Sequence, residues 1–397
     1  MKRRLLPISG VAGACCARST SRHTTVVLAL AIVTSIPAFS EDHSRSGKNY
    51  QFEFTNITDT TQGYSGFGTF PAINNHGEVA FIATRNNGDA VVLRTRDPGE
   101  KLTTIASPSD GLSAFGDDVA LNASGVVVFD ANTSTGSRAI FKGDGGSKTR
   151  IADSTANGLS KFGFGSPSIN ASGVVAFLAA LPQPGLPGSI FTGNGGPLRT
   201  VASTSATGFT GFQNAAINAS GTVVFAASRA DGSHGVFTAS NLLVDVVDTN
   251  HHSEITGFGD PVINDAGTVA DVAFVLPLGA PEIFTANARA FTPRNDPANP
   301  AFASTEHPSV NNQNAVAFSA ISVAFGAVSP TGIFLEVSGG KSLITVLTPG
   351  DKLFGSTVDH VDLGRFALND RFQMAFSYTL TDGRSGIAIA AFDGERE

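Results

Sequence analysis

Apolar residues in this chain occur in short runs, and one pattern of apolar and polar positions recurs along it. The pattern is apolar-Asn-x-x-Gly-x-Val-Ala-Phe-x-Ala, clearest in the first four copies and weaker in the last three. Seven copies begin at Ile73, Leu121, Ile169, Ile217, Ile263, Val310 and Leu368. Their asparagines are Asn74, Asn122, Asn170, Asn218, Asn264, Asn311 and Asn369, spaced by 48, 48, 48, 46, 47 and 58 residues. A near-constant period of this length predicts a repeat architecture.

Each repeat is expected to contain four short strands. In the third copy the first strand ends at Asn170, and Asn-Ala-Ser-Gly then supplies the chemistry of a tight hairpin turn. The second strand, 174–179, is almost continuously apolar, which indicates burial on both faces. Segments 189–192 and 198–202 give the third and fourth strands. Four antiparallel strands per unit, repeated seven times, predict an all-β fold: a seven-bladed β-propeller whose core holds most of the 30 Phe.

The two ends of the repeat region complement each other. The last copy has strands near 365–369, 372–378 and 386–392 but no fourth strand. Segment 51–57, Gln-Phe-Glu-Phe-Thr-Asn-Ile, precedes the first complete unit and has the pattern of a fourth strand. We therefore expect the N-terminal strand to complete the last blade and close the ring, which leaves no open sheet edge.

The N-terminal segment has the composition of a secretory signal peptide. Residues 1–40 contain five basic and no acidic residues, with an apolar run at 26–33 and a small–x–small pattern before Glu41. The alternative is a membrane anchor, but the run is well short of the roughly 20 apolar residues that a span needs. We expect cleavage near Ser40, a linker over 41–49, one propeller domain over 50–397, and a secreted or periplasmic location.

Cleavage would change the charge and redox chemistry of the chain. Cys15 and Cys16 would leave with the signal peptide, so the mature chain would have neither a disulfide nor a thiolate metal site. It would keep 21 basic and 33 acidic residues, a net charge of −12. Such a surface repels phosphate backbones, so no nucleic-acid partner is expected. No membrane span is expected in the mature chain either, and we expect a monomer.

Propeller topology sorts the loops onto two faces. The Asn-x-x-Gly turns and the third-to-fourth turns are short and alike, whereas the loops of the other face vary; we call this second side the variable face, where function usually lies. Two residues before each asparagine, a small side chain should face the central channel: Ala72, Ala120, Ser168, Ala216, Val262, Ser309 and Ala367. Four residues before it, the rim of the variable face should carry Phe70, Asp118, Ser166, Asn214, Asp260, His307 and Arg365. We expect these rim side chains to point into a water-filled mouth. Those predicted to bind ligand are Asp118, Asn214, Asp260, His307 and Arg365.

Candidate catalytic residues are few. His307 and Arg365 on the rim, with Tyr378 and Tyr64 on the same face, could support β-elimination: Arg would neutralise a uronate carboxylate while Tyr or His moves a proton. Titratable loop residues also cluster in blades four to seven: His234, His251, His252, Glu254, Glu306, His307, Asp359 and His360. A metal site is the alternative use of this cluster, but no regular ligand spacing is present, so neither a metal nor a cofactor is expected.

The tandem Asn-x-x-Gly-x-x-Ala-Phe motif resembles that of a group of secreted bacterial repeat proteins, many of which carry C-terminal surface anchors. The resemblance covers residues 50–392. The unit is also similar to the Ser-Pro-Asp-Gly-x-x-Ile-Ala-Phe blade of TolB-type propellers. The resemblance implies a propeller and export from a bacterium, and no activity. The chain ends without an anchor, which favours a free secreted or periplasmic form.

Two functions remain open at this stage. The first is a binding module that takes a glycan or a protein on the variable face, favoured because the familiar catalytic motifs are absent. The alternative is an extracellular polysaccharide-degrading enzyme, a lyase or hydrolase, with its site at the channel mouth. Whether the protein is an enzyme is left undecided, because propellers serve many functions.

Overall fold

The computed structural model describes residues 49–96, 101–155, 159, 165–179, 188–204, 208–276, 280–287, 290–293, 302–324, 327–337 and 342–396. The expected signal peptide and residues 41–48 of the expected linker lie outside the described residues. Within the described ranges, no helix is long and apolar enough to cross a membrane.

The described chain forms seven antiparallel sheets arranged in a ring, which confirms the seven-bladed propeller. We name the strands of each blade inner, second, third and outer, in the order of their pairing. Blade 1 contains Tyr64–Phe67 with Ala72–Ile73, then Val79–Arg85, Ala90–Thr95 and Thr103–Ala106. Blade 2 contains Leu112–Ser113 with Ala120–Leu121, then Val127–Thr133, Arg138–Gly143 and Thr149–Asp153. Blade 3 contains Ser168–Ile169, Val175–Ala179, Ser189–Gly193 and Arg199–Ser203.

The remaining blades repeat this order. Blade 4 contains Phe209–Ile217, Val223–Arg229, His234–Ala239 and Leu243–Asp248. Blade 5 contains Ile255–Phe258 with Val262–Ile263, then Val269–Val275, Ala280–Asn287 and Ala290–Pro293. Blade 6 contains Phe302–Val310, Val316–Ala324, Ala327–Val337 and Ser342–Leu347. Blade 7 contains Ser356–Leu368, Gln373–Leu380, Ser385–Arg396 and Asn49–Asp59, with a short arm, Lys352–Leu353, paired to its inner strand. The 3₁₀ turns are Thr60–Gln62 and Pro108–Asp110.

The repeated Phe of the second strand holds each blade together from within. Phe129 lies opposite Phe141 of the third strand, with ring centroids 5.9 Å apart. Blades 3, 4 and 6 repeat this stacked pair at 5.8 Å. In blade 5 the second strand places Asp271 opposite Phe284, at the position of the repeated Phe, and Asp271 is fully buried. The repeat thus builds a Phe core in most blades, and blade 5 departs from it.

The N-terminal strand closes the ring as expected. Asn49–Asp59 pairs antiparallel with Ser385–Arg396 along its whole length. Phe52 lies opposite Phe392 with ring centroids 5.5 Å apart, and Phe54 packs edge-on against Phe376 of the second strand. Blade 7 is therefore built from both ends of the described chain.

The seven repeat asparagines form a closed belt of hydrogen bonds around the ring. Each is buried, and its Nδ2 donates to the backbone carbonyl of the asparagine in the next blade, at 2.9 to 3.2 Å. The last of these bonds, from Asn369 to Asn74, completes the circle. The Oδ1 atom accepts from backbone N–H groups of its own turn, as Asn122 does from Ser124 and Val126 at 3.0 Å. The asparagine therefore shapes its own turn and also joins two blades.

Candidate ligand-binding site at the channel mouth

The centre of the ring is filled by side chains. The small residues two positions before each repeat asparagine are all buried. Phe366 packs against four apolar clusters that include Ala72, Ala120, Ala216 and Val262 of different blades. Phe366 therefore fills the centre of the ring, and we call the part of the variable face that the rim residues surround the cup.

An irregularity in the inner strand of blade 7 places Phe366 there. The pairing of this strand shifts between Leu363 and Leu368, so residues 364–367 leave the ladder. Gly364 lies so close to blade 1 that a Cβ atom would be 3.0 Å from the Pro71 carbonyl oxygen and 3.1 Å from the Phe70 Cβ. Any other residue would force the backbone of blade 1 to move, so glycine favours this close approach. The segment can then turn its side chains across the ring.

Arg365 belongs to the same irregular segment. The prediction that its side chain points into a water-filled mouth is wrong. The side chain is buried, with an exposed fraction of 3%. Its Nη2 donates to the carbonyl oxygens of Pro261 at 2.8 Å and Ala215 at 3.4 Å, and its guanidinium lies over the Phe366 ring at 5.3 Å. Arg365 thus reaches from blade 7 to blades 4 and 5 across the centre of the ring. Its Nε and Nη1 are buried and have no hydrogen-bond partner among the described residues.

The rim of blades 2 to 5 is a chain of hydrogen bonds. The Ser166 hydroxyl donates to the Asp118 carboxylate, and the Ser166 N–H donates to Asn214 Oδ1 at 3.0 Å. Asn214 in turn donates to both carboxylate oxygens of Asp260, at 2.9 and 2.8 Å. All four are partly buried. The rim is therefore preorganised, because these hydrogen bonds hold its carboxylate and amide oxygens in fixed positions.

The rim of blades 6, 7 and 1 carries an aromatic surface. The rings of His307 and Phe70 lie 4.4 Å apart between centroids, and both residues are partly exposed. His307 has φ of +51°, in the left-handed region that residues other than glycine rarely adopt. Such backbone strain is concentrated at functional sites. We call Phe70, His307 and the adjacent Asp362 and His360 the aromatic sector.

Asp362 is the acidic member of this sector. His360 Nε2 lies 2.7 Å from Asp362 Oδ2. Burial raises the pKa of Asp362 above its ordinary value, although His360 and His307 oppose this effect. Asp362 pairs with Ser377, whose hydroxyl donates to the Thr69 carbonyl at 2.9 Å and so ties the sector to blade 1. Sequence reasoning included His360 but missed Asp362, although two residues apart on one strand they share a face.

The two candidate tyrosines lie elsewhere. Tyr378 is buried, and its hydroxyl donates to Asn56 Oδ1 of the outermost strand of blade 7 at 3.0 Å. Burial raises its pKa further above the usual phenol value, with Asp59 acting in the same direction. Tyr64 packs on Phe67 and lines a cavity of about 490 Å³ that Asn56 also lines. The structure thus brings Tyr378 and Tyr64 to the periphery, whereas Arg365 lies at the centre, so the four candidate catalytic residues do not lie together.

The loop histidines are engaged pairwise. His251 Nδ1 lies 2.8 Å from Asp248 Oδ1, and His252 Nδ1 lies 3.0 Å from Glu254 Oε1. His307 Nδ1 lies 4.0 Å from Glu306 Oε2, and Asp359 is exposed. Within the ranges that the structure describes, no three His, Cys, Asp or Glu residues are grouped so that they could hold a metal ion.

Comparison with solved structures identifies the class of fold. A puromycin-hydrolysing peptidase of Mycobacterium tuberculosis aligns with TM-score 0.55 and 12% identity over 81% of this chain and 50% of its own. The acylaminoacyl peptidase of Pyrococcus horikoshii gives 0.54 and 9%, over 87% and 54%. The β-propeller domain of the Trilobed protease of Pyrococcus furiosus gives 0.52 and 8%, over 84% and 96%. The chain is thus a β-propeller that spans about half the length of the two peptidases.

The similarity extends no further than the fold. The Pyrococcus furiosus domain has an open velcro topology, whereas the N-terminal strand closes the ring of this chain. No family model matches the sequence, and no curated protein shows significant similarity to it.

Proposed function

We propose that this protein is a secreted binding module that takes a neutral glycan in the cup of the variable face. The observation that carries the proposal is the partly exposed Phe70–His307 surface beside fixed carboxylates. Aromatic faces carry negative charge density and attract the C–H groups of a sugar ring. Carboxylates such as Asp118 and Asp362 accept hydrogen bonds from hydroxyl groups, and these charge-assisted bonds are among the stronger ones. Preorganisation of the rim lowers the entropy cost of binding.

The charge of the mouth favours a neutral ligand over an acidic one. Asp118, Asp260, Glu306 and Asp362 surround it, and they would repel a uronate carboxylate. Arg365, the cation that would pair with a uronate carboxylate, is buried beneath the rim and donates to backbone carbonyls there. The mouth therefore has neither an arginine to pair with a uronate carboxylate nor a tyrosine base beside it. We favour binding over the lyase alternative for this reason.

The test is a panel of neutral oligosaccharides, uronic-acid oligosaccharides and a lysine-rich peptide, measured by calorimetry with wild-type protein. We expect neutral sugars to bind. Phe70→Ala and His307→Asn should each weaken that binding at least tenfold, because each removes an aromatic ring. Asn is chosen at position 307 because it tolerates the left-handed backbone. Asp144→Ala, in an exposed hairpin of the opposite face, is the control and should bind normally. Preference for the uronic acids or the peptide, or normal binding by both rim variants, would contradict the proposal.

Secretion is part of the proposal and has its own test. The basic N-terminus and the apolar run at 26–33 support it. Expression of the full chain in a bacterial host should release a protein outside the cytoplasm whose mass corresponds to cleavage near Ser40. An uncleaved chain retained in the cytoplasm would refute this.

A further inference from the structure

Blade 4 carries a serine and a histidine in direct contact. Ser228 is the next-to-last residue of the second strand and His234 begins the third. They pair across the ladder, with Ser228 Oγ 3.0 Å from His234 Nδ1. The corresponding pairs are Thr84–Ala90 in blade 1, Asn132–Arg138 in blade 2 and Thr379–Ser385 in blade 7. The repeat therefore does not require a Ser–His pair at this position, and blade 4 alone has one among these four blades.

The pair lines a cavity between blades 4 and 5. The cavity has a volume of about 180 Å³, and Phe212, Gln213 and Phe258 also line it. Gly211 lies beside the serine: a Cβ atom there would be 3.9 Å from Ser228 Oγ, so glycine leaves space in front of the hydroxyl. Both Ser228 and His234 are partly exposed. The serine is thus accessible to a small molecule that enters between apolar walls.

The backbone of the histidine is held in place. The His234 N–H donates to Thr249 Oγ1 at 3.0 Å, and the Thr249 N–H donates to the His234 carbonyl at 2.9 Å. In the neutral tautomer with its proton on Nε2, Nδ1 accepts the proton of the Ser228 hydroxyl. A nucleophile and a base within hydrogen-bond distance are the minimal elements of nucleophilic catalysis.

We propose that Ser228 and His234 form an acyl-transfer site that hydrolyses esters of short acyl groups. Ser228 Oγ attacks the ester carbonyl and forms a new C–O bond while its proton passes to His234 Nδ1. The bond to the alcohol then breaks, and His234 returns the proton to the departing alkoxide. Water then attacks the acyl-serine carbonyl while His234 takes its proton. The bond to Ser228 Oγ breaks, the histidine returns the proton to that oxygen, and the carboxylic acid leaves. The net reaction is ester plus water to acid plus alcohol.

The cavity limits the substrate class. Phe212 and Phe258 give an apolar wall for the acyl group, and the small volume excludes a long chain. Gln213 is exposed and lines the same cavity, so its side-chain amide can donate to the negatively charged carbonyl oxygen. The site is separate from the proposed glycan contacts of Phe70 and His307, so either proposal can fail alone.

Covalent labelling tests the nucleophile. A fluorophosphonate should add one group per chain, located on Ser228 by peptide mass spectrometry. His234→Gln should slow labelling at least tenfold, whereas His251→Gln, at an exposed loop histidine, should not. Labelling of other residues only, or labelling of Ser228 that is unaffected by His234→Gln, would overturn the proposal.

Ester turnover tests the reaction. We expect p-nitrophenyl acetate to be hydrolysed faster than p-nitrophenyl octanoate. Ser228→Ala should lower the acetate rate at least a hundredfold, in the range of nucleophile and base effects, while Thr84→Ala in blade 1 should not. Gly211→Val should also abolish turnover by filling the space before Ser228 while the Ser–His pair remains. Unchanged rates in Ser228→Ala, with all variants folded by circular dichroism, would refute the proposal.

Discussion

Asp271 is the residue at which the repeat departs furthest from its own core. It occupies the position of the repeated Phe, is fully buried, and has an Oδ2 atom without a hydrogen-bond partner among the described residues. Burial raises its pKa well above the ordinary value; Asp260 adds to this effect and Arg365 opposes it. Asp271 therefore keeps its proton in the folded state over a pH range in which the unfolded chain loses it.

This difference makes stability depend on pH. Below the unfolded pKa of about 3.9 the carboxyl is protonated in both states; above it only the unfolded chain ionises, so stability falls as pH rises towards the folded pKa. Asp271→Asn removes the effect, so its stability relative to wild type should increase between pH 4 and pH 7. Each unit of pKa shift corresponds to about 1.4 kcal/mol. Urea denaturation at both pH values measures the difference in the free energy of unfolding between the variant and wild type. A difference that does not change with pH would contradict a raised pKa for Asp271.

Arg365 should behave as a core residue. Arg365→Ala removes the donors to the Pro261 and Ala215 carbonyls and the contact with Phe366. We expect a loss of about 1–3 kcal/mol in the free energy of unfolding, the usual cost of unsatisfied buried polar groups. Arg371→Ala, at an exposed position of the opposite face, should change it by less than about 0.5 kcal/mol. Equal effects of the two substitutions in denaturation experiments would show that Arg365 does not stabilise the centre.

At the scale of elements, the sequence predicted what repeats and missed what departs from the repeat. Seven asparagines at near-constant spacing were sufficient for the blades, because period and turn chemistry are local properties. Counting back from Asn369 placed Arg365 on the rim, because counting assumes that the strand pairing is unbroken. The inner strand of blade 7 leaves its ladder at 364–367, so the count fails there. Ser228 and His234 are six residues apart, and only the strand register shows that they are opposite each other.

The closing strand gives the prediction that belongs to this scale. A chain that begins at Thr60 lacks Asn49–Asp59, so it exposes the third strand of blade 7 and loses the packing of Phe52 and Phe54. Lost ladder hydrogen bonds and apolar burial together should cost several kcal/mol. The comparison is a chain that begins at Asn49. Identical melting temperatures for the two chains would exclude a stabilising role for this strand.

The asparagine belt acts at the scale of the whole molecule. Asn170→Asp keeps the acceptor that shapes the turn but loses the donor to blade 4, whereas Asn170→Ala loses both. At about 1 kcal/mol for each hydrogen bond, we expect a loss of about 1–2 kcal/mol for Asn170→Ala. Asn170→Asp should lose at least as much at neutral pH, because it also places a buried carboxylate against the Asn218 carbonyl oxygen. Ser172→Ala, an exposed position of the same turn, is the matched control. Denaturation that ranks the three substitutions otherwise would show that the turn, rather than the bond between blades, sets the cost.

The pairing of the first strand with the last also sets an order of events during synthesis. Asn49 emerges early, yet its partner Arg396 is the last residue that the structure describes. Until blade 7 is complete, the strand 49–59 has no ladder and the bond from Asn369 to Asn74 cannot form. Pairings so distant in sequence are slow because the chain must first close a long loop. The intermediate blades can be present before the ring exists, and we expect closure to be the final step in which the protein becomes a single cooperative unit.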